Sequence, residues 1–361
     1  MVIDVQAAVV LEFGAPWVIE NLQLGDLQAD EVLVRMVATG ICHSDIAYRN
    51  PLFSPPCVLG HEGAGIVEKV GGAVTHVRTG QKVILSFDSC GTCSQCTCHL
   101  PSYCQEFTQH NFIGRLDGSS SLSRAGASIR SHFFGQSSFA THAVVAGRSA
   151  IPVSDDIPLE WVGSMGCGFL TGAGAVFRSM KVRRGSKIAV FGTGAVGMAA
   201  IAAAKVLDCS QIVAIDIAPS RLEVAREFGA TDVLDGHDPE LARKLVSITG
   251  AGADYTFDTT GVPSVMGVAI DCLAILGTFG HCAARDNASF SPLSMMRGNT
   301  IRGVVEGDSD PQLHVPELLG LWKQGRFPVD RLVRHYPFAK INEAVEDAVR
   351  GDVIKPVLLF D

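Results

Sequence analysis

The sequence predicts an α/β protein with two domains, one built mainly from strands and one in which strands alternate with helices. The chain has 361 residues, of which 47% are hydrophobic and 18% charged, so it can form two cores. Residues 1–165 read as strands separated by turns. From about residue 170, short apolar runs alternate with helical stretches, which is typical of a parallel sheet covered by helices.

The first part of the chain contains segments that alternate between apolar and polar residues, as half-buried strands do. They are 31–37, 65–70 and 82–85, with glycine-rich turns between them. Residues 118–121 and their neighbours are polar and turn-rich, so we expect a surface loop there.

The second part contains the alternating elements. Strands are expected at 187–191, 211–215, 233–234 and 255–257, and helices at 195–207 and 220–228. Residues 277–280 are expected to lead into another strand. After about residue 305, the pattern predicts one helix, 340–350, and a terminal strand, 356–360.

A glycine-rich turn lies between the first predicted strand and helix of this second part. Gly192, Gly194 and Gly197 form the pattern GxGxxG, in which the glycines serve the tight turn, the approach of a pyrophosphate and the close packing of helix on strand. Asp216 ends the next strand, nineteen residues after Gly197. A carboxylate there accepts hydrogen bonds from ribose hydroxyls and repels a 2′-phosphate, which predicts NAD over NADP. Arg221 could cover the ribose, or it could help the site to tolerate NADP. The alternative interpretation of the glycine pattern is a Rossmann-like fold that binds no cofactor.

Four cysteines lie close together at Cys90, Cys93, Cys96 and Cys104, with spacings of three, three and eight. Turns of this kind can direct four thiolates at one zinc ion and close its coordination shell, which predicts a structural site. Cys98 and His99 lie within the same segment and leave the fourth ligand open to question. The alternative is a chance cluster of reduced thiols.

Three further residues have metal-ligand character but are scattered: Cys42 in GICHSD, His61 in GHEGAG and Cys167 in MGCG. Three protein ligands leave a fourth position open, as in catalytic zinc sites. Asp45 can orient a ligating imidazole, and Ser44 can reach an oxygen at the metal. Glu62, next to His61, could visit the metal or act only from outside its ligand shell. The competing interpretation is that each of the three is a satisfied core residue.

Composition restricts the possible partners. The formal net charge is −8 and no basic tract occurs, so nucleic acid is not expected. The most apolar stretch, 195–207, contains a lysine and is too short to span a bilayer, and the N-terminus has no secretory pattern. Eleven cysteines without such a signal indicate metal ligands and reduced thiols. We therefore expect a cytoplasmic protein with no membrane partner.

Taken together, these motifs resemble the zinc-dependent medium-chain alcohol dehydrogenases, in the family's order and over nearly the whole chain. Several stretches are most similar to the aryl-alcohol (benzyl alcohol) and geraniol dehydrogenase branch: FFGQSSFATHAVV, MGCGFLTGAGAV, FDTTGVP and the ending IKPVLLF. The resemblance implies a GroES-like β-barrel catalytic domain, 1–168 with 305–361, interrupted by a Rossmann NAD-binding domain, 169–304. It also implies a cleft between the domains and a homodimer or homotetramer.

The resemblance assigns roles to individual residues. It implies a catalytic zinc at Cys42, His61 and Cys167 and a structural zinc at the four clustered cysteines, with Cys98 spare. It implies that Ser44 relays the proton and that Asp45 supports the ligands. Thr171 is expected among the cofactor contacts.

Three positions depart from the family's best-known pattern. His43 and Lys355 stand where many members carry arginines at the pyrophosphate, and neither guarantees a bidentate grip on phosphate. Ala47 stands where some members have a histidine that passes the proton to solvent, so His43 or water is expected to do so.

The expected activity is reversible hydride transfer between NAD and a primary aromatic or allylic alcohol or aldehyde. The alternatives are a polyol or S-hydroxymethylglutathione dehydrogenase of the same family, and a non-catalytic protein that binds NAD or zinc.

Overall fold

The computed structural model describes residues 3–47 and 51–360. Its strands, in chain order, are β1 (Ile3–Val10), β2 (Val18–Leu24), β3 (Glu31–Gly40), β4 (Cys57–Val58), β5 (Gly63–Val70), β6 (Lys82–Leu85), β7 (Leu122–Arg124), β8 (Ala127–Ile129), β9 (His142–Ala146), β10 (Ala150–Pro152), β11 (Lys187–Phe191), β12 (Gln211–Asp216), β13 (Asp232–Asp235), β14 (Ala253–Asp258), β15 (Leu273–His281), β16 (Thr300–Gly303), β17 (Val333–Pro337) and β18 (Lys355–Leu359). Its α-helices are α1 (His43–Ile46), α2 (Ser94–Thr97), α3 (Phe107–Phe112), α4 (Leu159–Val162), α5 (Gly168–Gly174), α6 (Ala195–Val206), α7 (Pro219–Phe228), α8 (Leu241–Thr249), α9 (Pro263–Asp271), α10 (Pro292–Met295), α11 (Pro311–Lys323) and α12 (Ile341–Arg350).

The chain divides into two compact units. Unit 1 lies within residues 3–167, 310–319 and 330–360, and unit 2 comprises 168–309 and 320–329. The domain bounds expected from the sequence stay a prediction beside these units. None of the helices in the described ranges is long and apolar enough to cross a membrane.

Unit 1 is organised around two largely antiparallel sheets. Within the described residues, one sheet has the order β4-β1-β2-β7-β8, and the other has β10-β6-β5-β3-β18-β17 with β9 also paired to β3. Phenylalanines fill much of its core, among them the fully buried Phe53, Phe133 and Phe139. The expected strands at 31–37, 65–70, 82–85 and 356–360 are confirmed as β3, β5, β6 and β18.

Unit 2 contains one parallel sheet with the order β13-β12-β11-β14-β15-β16 in the described part of the chain. Numbered from its first strand, this is the order 3-2-1-4-5-6 of the doubly wound dinucleotide-binding fold. Strands are added on one side of β11 from β12 to β13 and on its other side from β14 to β16. Ligands of such sheets bind outside the carboxyl ends of the strands where this order reverses, here β11 and β14. The predicted strands and helices of this part are confirmed, with bounds that differ by at most two residues. Residues 277–280, expected to lead into a strand, lie within β15 itself.

Some elements were not predicted. One helix was expected after residue 305, whereas the structure has α11 as well as α12. Pro316 lies inside α11 and Gly320 follows one turn later. Both residues normally interrupt a helix, so they hid the apolar periodicity of this segment.

Candidate active site

Asp45 organises the scattered ligand set. It lies on the single turn α1 and is 2% exposed. One carboxylate oxygen accepts from the Gly60 backbone N–H at 3.1 Å and lies 2.9 Å from His61 Nδ1. The other oxygen accepts from the Cys42 backbone N–H at 3.0 Å. A carboxylate in these positions keeps the proton of His61 on Nδ1 and leaves Nε2 as a lone-pair donor.

The structure brings Cys42, His61, Glu62 and Cys167 together, with ligand atoms all within 4.8 Å of one another. His61 Nε2 is buried and has no hydrogen-bond partner among the described residues. A buried nitrogen in this state costs free energy unless a ligand occupies its lone pair. The hydrogen bond with Cys167 lowers the pKa of Cys42 well below the usual value of a thiol. Two sulfurs and one imidazole nitrogen are suitable donors for zinc, so the residues fit the expected metal.

Glu62 is engaged elsewhere. Its carboxylate accepts from Lys355 Nζ at 2.8 and 2.9 Å, and Lys355 also donates to the Ile41 carbonyl at 3.2 Å. Both side chains are nearly inaccessible to solvent. Burial raises the pKa of the Glu62 carboxyl despite this partner. Lys355 was expected at the pyrophosphate of the cofactor; its ammonium lies in this buried ion pair, and the expected role stays a prediction.

Gly166 lets the chain before Cys167 lie directly on β6. A Cβ atom at position 166 would be 1.9 Å from the Leu85 carbonyl oxygen. Ser86 Oγ donates to the carbonyl of Gly166 and fixes the same contact. The glycine next to Cys167 therefore allows close packing of backbone on backbone.

Two contacts of His61 were missed by sequence reasoning. The ring of Phe134 stacks on the imidazole with 4.5 Å between centroids. Gln136 donates to the His61 carbonyl at 2.8 Å and accepts from the Gly63 N–H at 3.1 Å. The signal was present as FFGQSSF, in which a buried amide follows two aromatic residues.

The expected relay residues lie on α1. Ser44 is exposed, and its Oγ is 3.7 Å from Cys42 Sγ, so a hydroxyl lies beside the ligand set. His43 is also exposed, next to Ser44. Ala47 ends this turn with its backbone N–H bonded to the His43 carbonyl.

The clustered cysteines also converge. The sulfurs of Cys90, Cys93, Cys96 and Cys104 all lie within 4.8 Å of one another. Backbone N–H groups donate to the sulfurs of Cys90 and Cys104 at 3.3–3.4 Å, and such bonds favour a thiolate. Burial nevertheless raises the pKa of Cys104 to about 12. Donors from the backbone, first at Cys96 and then at Gln105, lower the pKa of Cys93 to about 6. Cys98 is exposed and not in the cluster, and His99 bonds Asp310 at 2.9 Å.

The glycine-rich turn of unit 2 has an open approach. Gly192 has φ +86°, and a Cβ there would be 2.4 Å from Thr259 Oγ1. A Cβ at Gly197 would be 1.9 Å from the Gly192 carbonyl oxygen. Apart from Gly194 and its two chain neighbours, no heavy atom of the described residues lies within 4 Å of the Cβ position at Gly194. This open space stands at the N-terminus of α6, where N–H groups face an anion, so the turn fits a pyrophosphate.

Asp216 holds this turn from the neighbouring strand. One carboxylate oxygen accepts from the Thr193 backbone N–H at 2.6 Å and from the Thr193 hydroxyl at 2.8 Å. The other oxygen accepts from the Ala218 N–H at 2.9 Å. A carboxylate has about four acceptor positions, so a ribose hydroxyl can still bind. Arg221 Nε is buried without a hydrogen-bond partner among the described residues. Thr171 lies on α5, where its hydroxyl is 3.3 Å from Glu306 Oε2.

Comparisons with known proteins agree with both halves of this description. Residues 28–155 match the alcohol dehydrogenase GroES-like domain, and residues 195–323 match the zinc-binding dehydrogenase family. The geraniol dehydrogenase of Castellaniella defragrans is 41% identical over 99% of this chain and 98% of its own length.

Solved structures give the same result. The benzyl alcohol dehydrogenase of Acinetobacter calcoaceticus is 40% identical, with a TM-score of 0.96 over 99% of this chain and 100% of the other. An alcohol dehydrogenase zinc-binding domain protein from Burkholderia ambifaria is 44% identical, with a TM-score of 0.97 and full coverage of both chains. These matches confirm the GroES-like and Rossmann folds expected from the sequence. The chain belongs to the zinc-dependent medium-chain alcohol dehydrogenases.

Proposed function

We propose that this protein oxidises primary aromatic or allylic alcohols to aldehydes, reversibly, with NAD as the hydride acceptor. The observation that carries the proposal is the buried set Cys42, His61 and Cys167, in which His61 Nε2 has no hydrogen-bond partner among the described residues. The names of two similar proteins support the substrate class, since one is a geraniol dehydrogenase and the other a benzyl alcohol dehydrogenase.

Zinc and NAD are the metal and cofactor of this family in general. We infer two zinc ions per subunit. The open set of three ligands would hold one, and the closed set of four sulfurs would hold the other. The first would have a catalytic role. The second would hold together the segment from Cys90 to Cys104, because four thiolates leave no position for a substrate.

The catalytic zinc would supply a Lewis acid that lowers the pKa of an alcohol hydroxyl. The chain's own residues do the rest. Asp45 keeps the His61 proton on Nδ1, so that Nε2 faces the ligand set. Ser44 Oγ takes the proton of the alcohol and, being exposed, passes it to water or to His43. NAD would supply the acceptor for the hydride that the alcohol loses together with this proton, which would leave an aldehyde and NADH.

Glu62 and Lys355 would support the set without ligating it. Their charges balance each other in a site closed to water, where either one alone would be costly. The ion pair also keeps the Glu62 carboxylate from closing the fourth position on the metal.

In unit 2, the pyrophosphate would lie on the open side of Gly194 at the N-terminus of α6. Asp216 would receive the ribose hydroxyls, and its negative charge would disfavour the 2′-phosphate of NADP. Arg221 would cover the ribose. Thr171 would contact the cofactor from α5.

The homodimer or homotetramer and the cytoplasmic location expected from the sequence stay predictions. Support for self-association comes from the edge of the unit 2 sheet, where β16 is the last strand among the described residues. Large apolar side chains on β15 and at α10, which precede this edge strand in the chain, are 72–82% exposed: Ile275, Leu276, Leu293 and Met296. An uncovered edge strand with large exposed apolar side chains favours pairing with a second copy.

A substrate panel tests the proposed activity. NADH formation is followed with benzyl alcohol, cinnamyl alcohol and geraniol, and with sorbitol and S-hydroxymethylglutathione as competing classes. The proposal predicts the highest kcat/KM among the first three. Higher kcat/KM for sorbitol or the glutathione adduct would overturn the substrate class, and no turnover of any alcohol or aldehyde by zinc-loaded protein would overturn the activity.

A further inference from the structure

The loops after β14, β15 and β16 lie at the carboxyl edge of the unit 2 sheet. In a sheet of this order, a dinucleotide lies across that edge with one mononucleotide over each half. Asp216, at the end of β12, marks the adenosine half, so the nicotinamide belongs to the half formed by β14–β16. This assignment rests on the proposed function.

The turn after β16 has an unusual backbone. Glu306, Gly307 and Asp308 are consecutive and left-handed, with φ of 48°, 66° and 52°. Two of the three are not glycine, and left-handed conformations cost free energy for such residues. Strained backbone of this kind concentrates at functional sites, where the surrounding structure maintains it.

Packing holds this turn from two sides. A Cβ at Gly307 would be 2.7 Å from the Leu170 carbonyl oxygen, and one at Gly174 would be 2.2 Å from the Gly307 carbonyl oxygen. The turn therefore lies directly on the backbone of α5. Asp308, 3% exposed, accepts from the Arg302 guanidinium at 2.6 Å. Glu306 is thus attached to a rigid support.

The Glu306 side chain is directed by Thr171. The Thr171 hydroxyl, on a residue 8% exposed, lies 3.3 Å from Glu306 Oε2, whereas Glu306 itself is partly exposed. The nicotinamide carries N–H donors on its carboxamide, and its ring is positively charged only when oxidised. A fixed negative charge beside it therefore discriminates between the two redox forms.

We propose that the Glu306 carboxylate is a positioning residue for the nicotinamide end of the cofactor, and that its charge strengthens binding of NAD+ relative to NADH. The pyrophosphate, the ribose and the adenine are common to both forms. Their contacts with the protein contribute little to the ratio of the two dissociation constants, so this ratio isolates the effect of the ring charge.

Binding measurements on the zinc-loaded protein test this inference without turnover. NADH is titrated by its fluorescence, and NAD+ is titrated by competition with NADH. In Glu306→Gln, which keeps an acceptor for Thr171, the ratio Kd(NAD+)/Kd(NADH) should rise roughly tenfold, as expected for loss of one nearby charge. Glu306→Asp retains the charge and should keep the ratio within about twofold of the wild-type value.

Asp208→Asn is the matched control. Asp208 is also acidic, exposed and left-handed, but it precedes β12 and so lies toward the amino edge of the sheet. Its loss should leave the ratio unchanged. A second measurement needs no variant. Added salt should raise the wild-type ratio because it screens the charge, and it should do so less in Glu306→Gln.

An unchanged ratio in Glu306→Gln, with both cofactor forms still bound, would overturn this inference alone. A wild-type ratio that does not respond to salt would count against it in the same way. Failure of the wild-type protein to bind either form would instead overturn the proposed function, and this inference with it.

Discussion

Replacing Asp45 by asparagine tests how the ligand set is held. The carboxylate accepts from the Cys42 N–H with one oxygen, and it faces the Gly60 N–H and His61 Nδ1 with the other. Asparagine has one acceptor oxygen and one NH₂ group, so its NH₂ group must face either the Cys42 N–H or the donors of Gly60 and His61. In both cases two hydrogen-bond donors face each other. Either the Cys42 N–H is left unsatisfied, or His61 must move its proton to Nε2 and lose its ligand lone pair.

The magnitude follows from these contacts. Asp45 is almost fully buried, and a hydrogen bond to a charged group is worth about 1.5–3 kcal/mol. We therefore expect Asp45→Asn to lower the free energy of unfolding of the metal-free protein by about 3 kcal/mol. Loss of a carboxylate that supports a ligating histidine weakens metal binding about 10- to 100-fold, which is the expected effect on the catalytic zinc.

Two assays measure these effects. Zinc content is determined by elemental analysis during titration with a chelator, and unfolding of the apo protein is followed in urea. The variant should lose one zinc per subunit at lower chelator concentration while the zinc at the four cysteines is unaffected. Asp155→Asn, at an exposed carboxylate, is the control and should behave as wild type. An Asp45→Asn protein that keeps both zinc ions with unchanged affinity would show that the Asp45 carboxylate does not hold the zinc ligands in place.

Three further predictions concern other parts of the molecule. Asp216→Asn should shift the ratio of kcat/KM for NAD and NADP about tenfold toward NADP, because a charge that repels the 2′-phosphate is lost; an unchanged ratio would remove Asp216 from this role. Although burial opposes its ionisation, hydrogen bonds, the first from His132, lower the pKa of Glu31 from 4.5 to about 2. The stabilisation from ionised Glu31 is complete above pH 4.5 and is lost as the pH falls toward 2. In urea, the difference in free energy of unfolding between wild type and Glu31→Gln should therefore shrink as the pH falls through this range. A difference that stays constant would contradict this prediction. Leu276→Glu should reduce the molar mass measured by light scattering to that of a smaller assembly, whereas Leu116→Glu, also at an exposed leucine, should not.

Much of the site could be predicted because its residues carry local signals. Gly192, Gly194 and Gly197 are close in sequence, and each has a distinct steric reason that the structure reproduces at the backbone level. The four clustered cysteines are likewise recognised from spacing alone. A motif confined to a few residues can be recognised from the sequence because the backbone itself sets the distances between those residues.

What could not be predicted depends on residues far apart in the chain. Glu62 and Lys355 are separated by 293 positions, and only the pairing of β18 with β3 brings them to one place. By its position among the clustered cysteines, His99 is a candidate for the fourth zinc ligand. It instead bonds Asp310, which lies 211 positions away. The left-handed turn at Glu306 is equally hidden, because its backbone is maintained by contacts with α5 and not by its own residue types.

The most direct test of the central claim is turnover as a function of zinc content. Zinc is removed stepwise with a chelator and then returned, and oxidation of benzyl alcohol by NAD is followed through NADH absorbance. The account predicts negligible turnover while only the four-cysteine site holds zinc, and a linear rise to full turnover as the set Cys42, His61 and Cys167 fills. Full turnover in protein whose catalytic set holds no zinc would contradict it.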